Sequence, residues 1–210
     1  YFSTDEVFGP ADDGQTFSEH ARHEPENPYA ATKSGAEQLC VAYAHQYGVH
    51  ITVTHCCNAY GPGQHEEKFI PLVIDRVKRG QLVQIHARRG VVSSRLYINV
   101  ADVARATLVA LESGGTIHDA RSGRYNIRAD EEISNLYAAN KIAELLGTQL
   151  RFEFVENPPN RPKPDIRYAI SDEKLRALGW KPEISFDDGL RALIRGTLTS
   201  EAANALLDAG

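Results

Sequence analysis

The chain has 210 residues, 42% of them apolar and 24% charged, and a formal net charge of −5. That length buries one substantial core or two small ones, in a composition ordinary for a soluble globular protein. The acidic balance disfavours nucleic acid or an anionic membrane surface as main partner, and no apolar run approaches the ~20 residues of a membrane span. Tyr1-Phe2-Ser3-Thr4 reads as the tail of a strand, so the chain is expected to be a fragment opening in mid-element. The polar stretch from Ala11 to Asn27 reads as an exposed loop. Asn27-Pro28 is a helix start, with Asn as cap and Pro at the first position, and this helix is expected to run to about Gly48. Its apolar stripe, Ala36, Leu39, Cys40, Tyr43 and Tyr47, has helical spacing and is expected to face the core. The β-branched alternation from His50 to Cys57 predicts a strand, followed by a turn at Tyr60-Gly61-Pro62-Gly63.

Farther on, the pattern predicts helices over 67–79, 100–112, 130–146, 171–178 and from about 185, with strands over 82–86, 95–98, 124–127 and 150–155. Strands alternating with helices across short loops predict an α/β layered fold. From about Leu82 the elements shorten and prolines cluster, which suggests a smaller lobe interleaved with the first. Cys40, Cys56 and Cys57 are odd in number with two adjacent, which does not suit a disulfide framework and favours a reducing cytosol. His20 and His23 are the closest histidine pair, but no Cys or carboxylate cluster completes a metal site around them, and no metal is expected.

Two groups of residues carry chemistry. Ser3-Thr4-Asp5-Glu6 lies at the predicted C-terminal end of a strand, where ligand sites of open α/β sheets collect. A hydroxyl and two neighbouring carboxylates there offer a hydrogen-bond donor, a general acid and a general base, and mutual repulsion moves the two carboxyl pKa values apart. The second group is Tyr29-Ala30-Ala31-Thr32-Lys33, whose i, i+4 spacing puts phenol and ammonium on one helix face, where the cation would lower the phenol pKa. The spacing alone is weak, because Tyr137 and Lys141 share it. Lys33 falls on the apolar stripe, where an ammonium is costly without a partner. Lys141 falls off its helix's stripe of Leu136, Ala139, Ala143 and Leu146 and reads as a solvated surface residue.

Thr4-Asp5-Glu6 followed by Tyr29-x-x-x-Lys33 resembles the extended short-chain dehydrogenase/reductase family, in particular its nucleotide-sugar 4,6-dehydratases. The similarity continues through Cys57-Asn58-Ala59-Tyr60-Gly61-Pro62, Glu67 to Leu72, Arg95 to Ile98, Val100 to Ala104, Tyr125 to Ile127 and Arg161 to Tyr168. The resemblance implies the C-terminal part of a Rossmann-like doubly wound parallel sheet. Residues 1–81 would be the catalytic remainder of the NAD-binding domain. Residues 82–210 would be mainly a substrate-binding lobe, with the helix over 99–113 and nearby strands returning to the first domain.

The resemblance also implies a reaction: NAD-dependent conversion of a nucleotide-diphosphate hexose to its 4-keto-6-deoxy form. Tyr29 would take the proton of the sugar 4-hydroxyl as hydride passes from C4 to NAD, with Thr4 bonding that oxygen. Lys33 would lower the Tyr29 pKa and hold the nicotinamide ribose, beside Ala59. Glu6 would remove the C5 proton, Asp5 would protonate the departing 6-hydroxyl, and the hydride would return to C6. Asn58, Lys68, Phe69, Arg95, Asn126, Arg161 and Asp165 would hold the sugar and its diphosphate. The adjacent Asp5-Glu6 pair resembles enzymes acting on dTDP- or UDP-glucose, whereas GDP-mannose dehydratases tend to carry Ser in place of the Asp. An epimerase or reductase of the same family, or a truncated binding module without catalysis, are the rival expectations. A homodimer of the full-length protein is implied, with this fragment inactive and marginal alone.

Three departures stand out. The family's Gly-x-x-Gly-x-x-Gly turn does not occur in these residues and is expected in a preceding segment. Arg-Pro-Gly-His-Asp becomes Arg161-Pro162-Lys163-Pro164-Asp165, and Ala59 replaces a second Asn.

Overall fold

The computed structural model describes residues 1–88, 90–117, 123–156 and 167–208. Strand β1 (Phe2–Thr4) is followed by a 3-10 turn, Asp5–Phe8, and helix α1 (Pro28–Tyr47). Strands β2 (Val53–Cys56) and β3 (Asn58–Tyr60), helix α2 (Phe69–Lys78), strands β4 (Val83–Arg88), β5 (Val91–Val92) and β6 (Ser94–Asn99) and helix α3 (Val100–Glu112) come next. Then follow β7 (Arg124–Ile127), β8 (Glu132–Ser134), α4 (Asn135–Leu145), β9 (Phe152–Val155), α5 (Glu173–Ala177) and α6 (Phe186–Asp208).

The expected α/β architecture is present. The first sheet, in order β1-β2-β7, is parallel throughout, with Thr4 opposite Cys56 and His55 opposite Asn126. A second sheet has β6 between parallel β3 and antiparallel β8, and a third has β4 between antiparallel β5 and parallel β9. The run 53–60 crosses from the first sheet to the second at Cys57, which separates β2 from β3 where a single strand ending in a turn was expected. Cys56 pairs Ile127 on one side of the step and Asn58 pairs Tyr97 on the other. The mouth between two sheets, beyond the C-terminal ends of parallel strands, is where an α/β fold leaves a crevice for a ligand.

Helix α1 starts as its sequence demands. Asn27 Oδ1 accepts from Ala30 N at 2.8 Å, Pro28 needs no hydrogen-bond partner, and Gly48 ends the helix at φ +65°. Its buried face differs from expectation. Ala30, Glu37 and Ala44 are fully buried, while Leu39, Tyr43 and Tyr47 are 61%, 55% and 69% exposed. Leu39, Tyr43 and Tyr47 of the stripe therefore point outward, with Cys40 half-buried against Ala44 and Val53, because Glu37 has polar partners beneath the helix that compensate its burial.

The helix expected over 130–146 is divided. Glu132–Ser134 pairs with β6, and α4 begins only after Ser134, whose Oγ accepts from Tyr137 N at 3.1 Å. Lys141 is ion-paired to Glu144 and Asp187 at 3.1 and 3.2 Å, not merely solvated as expected.

The larger core packs Ile70, Val73 and Val77 of α2, Ile142 of α4, and Leu190 and Ile194 of α6 around Ile85 and Tyr97. Gly189 permits the close approach of α6, since a Cβ there would overlap the Tyr60 hydroxyl. A second core joins Val103, Ala106 and Ala110 of α3 to Ile98, Ile127, Leu175 and Trp180. Buried Asp102 ties α3 to the segment before α6, accepting the backbone N–H groups of Glu183 and Ile184 at 3.0 and 3.1 Å. All three cysteines are free. Among the described residues no helix is long and apolar enough to cross a membrane.

Candidate active site

Thr4 ends β1 with an extended backbone and caps the 3-10 turn, its Oγ1 accepting from Glu6 N at 3.4 Å. The chain reverses there and leaves Thr4, Asp5 and Glu6 as neighbours at the strand's end. Thr4 Oγ1 also donates to Asp5 Oδ1 at 3.3 Å. Asp5 is buried, and its carboxyl is pushed up to about 7 by desolvation and then by the negative charge of Glu6; Arg95 and Thr4 restrain the rise. Near neutral pH about half of the molecules therefore carry a proton there that Asp5 can give.

Glu6 is half-buried, and Asn27 Nδ2 donates to its Oε2 at 2.7 Å. Tyr29 stands two residues farther on, in the first turn of α1. Its phenol is raised from the ordinary value, first by desolvation and then by the charge of Glu6, while a hydrogen bond with Thr4 acts the other way. The acid pair and the phenol therefore share one environment.

The expected lowering of the Tyr29 phenol by Lys33 is not found. The Lys33 ammonium donates to Phe2 O at 2.9 Å and lies 5.1 Å over the Tyr1 ring, so its charge is spent on β1.

Glu6 and Tyr29 open onto a cavity of about 670 Å³, which Asn58, Ala59, Lys68, Phe69 and Arg95 also line. β3 delivers Asn58 and Ala59, and the start of α2 delivers Lys68 and Phe69. Arg95 comes from β6, with its guanidinium over the Tyr168 ring at 5.3 Å. The cavity wall thus carries the Glu6 carboxylate together with the cations Lys68 and Arg95, a mixture suited to a sugar with a phosphate tail.

Asn126 is a correction. It is fully buried within β7 of the first sheet, and its Nδ2 donates to Phe17 O at 3.0 Å and Ser171 O at 2.9 Å. Its amide holds two loops together and does not line the cavity. Arg161 and Asp165 lie outside the described residues.

Sequence reasoning missed Arg76, Asn135 and Tyr168, which line the cavity too. Arg76 had a readable signal, standing seven residues after Phe69 and three after Val73 on one face of α2. Asn135, which accepts from the Tyr97 hydroxyl at 2.9 Å, had none. A larger groove of about 1490 Å³ between α2, α6 and the 61–67 turn holds no member of the acid-base group. The structure also gathers His23, Glu37 and His55, three residues distant in sequence, behind β1.

A family model described as GDP-mannose 4,6 dehydratase matches residues 1–193. The low-salt glycan biosynthesis protein Agl12 of Haloferax volcanii is 40% identical over 195 residues, covering 91% of this chain and 59% of that protein. The trifunctional UDP-glucose 4,6-dehydratase/epimerase/reductase RHM3 of Arabidopsis thaliana is 38% identical over 195 residues, covering 91% of this chain and 28% of its own length. The solved dTDP-glucose 4,6-dehydratase of Bacillus anthracis, in complex with NAD, superposes with a TM-score of 0.83 at 30% identity, over 96% of this chain and 61% of that one. The chain therefore spans about three fifths or less of these proteins' lengths. With its parallel sheet, its strand-end acid pair and a family match along nearly its whole length, the chain belongs to the nucleotide-sugar 4,6-dehydratase/epimerase family of extended short-chain dehydrogenases/reductases.

Proposed function

We propose that the full-length protein containing this chain dehydrates a nucleotide-diphosphate hexose of the dTDP- or UDP-glucose type to the 4-keto-6-deoxy sugar. The observation that supports the reading is the grouping of Asp5, Glu6 and Tyr29, with Glu6 and Tyr29 on the cavity wall and the buried Asp5 carboxyl beside them raised to about 7. A sugar C5 proton is too weakly acidic for a carboxylate unless C4 is first a ketone, so oxidation must precede elimination.

The residues present suit the nicotinamide end of NAD: an exposed phenol, an ammonium one helix turn away and the small Ala59 on the cavity wall. When bound there, NAD would supply a hydride acceptor that later returns the hydride. Tyr29 would accept the 4-hydroxyl proton while Thr4 holds the same oxygen. Glu6, steadied by Asn27, would take the C5 proton, and protonated Asp5 would give its proton to the departing 6-hydroxyl, yielding water. Lys68 and Arg95 would bind the diphosphate, with Asn58 on the sugar. The chemistry requires one rearrangement, the swing of the Lys33 ammonium from the Phe2 carbonyl to the phenol. We expect the full-length protein to be a homodimer.

The test is Glu6→Gln in the full-length protein with dTDP-glucose and UDP-glucose as substrates. Formation of the 4-keto-6-deoxy product should fall by about 10²–10⁴-fold, with substrate binding retained. Near-normal formation of that product by the variant would overturn the role given to Glu6, and a wild-type enzyme that forms only an epimerised or reduced sugar would favour an epimerase or reductase that needs only Tyr29 and Lys33.

A further inference from the structure

We propose that His23, Glu37 and His55 form a binding site for a divalent transition-metal cation such as Zn²⁺, independent of the sugar-nucleotide cavity. The three residues offer two imidazole nitrogens and one carboxylate oxygen, all within 4.8 Å of one another. Glu37 Oε2 lies 3.1 Å from His55 Nε2 and 3.6 Å from His23 Nε2. Metal–ligand bonds of about 2.0–2.1 Å at tetrahedral angles set ligand atoms about 3.3 Å apart, between these two separations. The longer one is too wide for a hydrogen bond, which leaves His23 Nε2 facing a carboxylate across a gap that a cation would close.

The surroundings orient these atoms as metal ligands are oriented. His23 Nδ1 is 2.8 Å from Ser34 Oγ, and as donor there it turns a bare Nε2 toward Glu37. The Ser3 hydroxyl donates to Glu37 Oε1 and leaves Oε2 for the cluster. The Phe8 ring packs on both imidazoles, with centroids 5.4 and 4.8 Å away, and fixes their planes. The 3.1 Å contact of His55 Nε2 with Glu37 Oε2 is a hydrogen bond here, which a cation would replace, moving the imidazole proton to the buried Nδ1. One side opens beyond His23 onto a cavity of about 330 Å³, a route of entry and room for a fourth ligand. One group opposes the cation: Arg124 Nε lies 4.0 Å from the same Glu37 oxygen.

The site would staple the 19–23 loop, α1 and β2 to each other. Side chains alternate along a strand, so Ser3 faces this cluster while Thr4 serves the active site on the other side of β1.

The protein, stripped with a chelator and dialysed, should bind one equivalent of Zn²⁺ by calorimetry, and Co²⁺ should give the intense visible bands of four-coordinate cobalt. Zn²⁺ should raise the thermal midpoint of the wild type. His23→Gln, at a partly exposed residue and so expected to fold, should weaken binding at least tenfold and abolish the cobalt bands. Ser34→Ala should weaken it about tenfold, and Arg124→Gln should tighten it by removing a competing cation. Wild-type protein that binds no Zn²⁺, or His23→Gln that binds as tightly as wild type, would overturn the proposal.

Discussion

The side chain of Asn27 bridges the Glu6 carboxylate and the first turn of α1: Nδ2 donates to Glu6 Oε2 at 2.7 Å while Oδ1 accepts from Ala30 N at 2.8 Å. One amide thus fixes the distance between Glu6 and the helix that bears Tyr29. Two functions, cap and clamp, separate cleanly by substitution. Asn27→Ser keeps an oxygen for the cap and should hold stability within about 0.5 kcal/mol, yet it loses the bond to Glu6 and should lower turnover of the full-length enzyme. Asn27→Ala should in addition cost about 1 kcal/mol. Urea denaturation beside steady-state kinetics distinguishes the two.

Asp5 gives a pH signature. An unfolded Asp carboxyl titrates near about 3.9, whereas the folded group sits at about 7 because burial disfavours its charge. Between those values the folded state keeps a proton that the unfolded state has lost, so stability declines as pH rises through the window, and the penalty is complete above it. Its ceiling is on the order of 4 kcal/mol. Asp5→Asn removes the ionisation, and should be more stable than wild type at pH 8 and near wild type at pH 4. Denaturation midpoints across that range test the sign.

Asn126 should behave as a structural residue. Asn126→Ala leaves the Phe17 and Ser171 carbonyls without their donor, at about 1–3 kcal/mol for each buried group stranded. The denaturation midpoint should fall, and the folded variant should bind a nucleoside diphosphate with unchanged affinity by calorimetry.

The outward stripe of α1 yields a contrast. Leu39→Ser and Tyr43→Ser should each change the chain's stability by no more than about 0.5 kcal/mol, because both side chains are already mostly exposed. Ala44→Leu, on the fully buried face, should cost about 1–3 kcal/mol through overpacking. Chemical denaturation of the three variants reads the difference directly.

What the sequence made legible was local in origin. Asn27-Pro28 announced α1, β-branched alternation announced β2, and α3 and β7 have their expected bounds. The expected cavity residues Asn58, Lys68 and Arg95 were readable because each sits in a motif whose spacing carries the resemblance. What stayed hidden was decided by partners far along the chain. The buried face of α1 follows from Ser3 and His55 reaching Glu37, which a hydrophobic stripe cannot foretell. β8 was masked because 130–146 fits a helical period and only pairing with β6 withdraws its first residues. Asn126 lay in a recognisable motif, yet its side chain is claimed by two loops more than forty residues away on either side.

The step at Cys57 couples two parts of the molecule through bookkeeping of residue number alone. β2 is locked in register with β1 and β7, and only one residue separates it from Asn58. Deleting any one residue of 53–56 would shift Asn58 and Ala59 by about 3.3 Å and turn each to the opposite face. The cavity wall is thereby indexed to a strand none of whose own residues lines it, and length, rather than composition, is the property of that strand least free to vary.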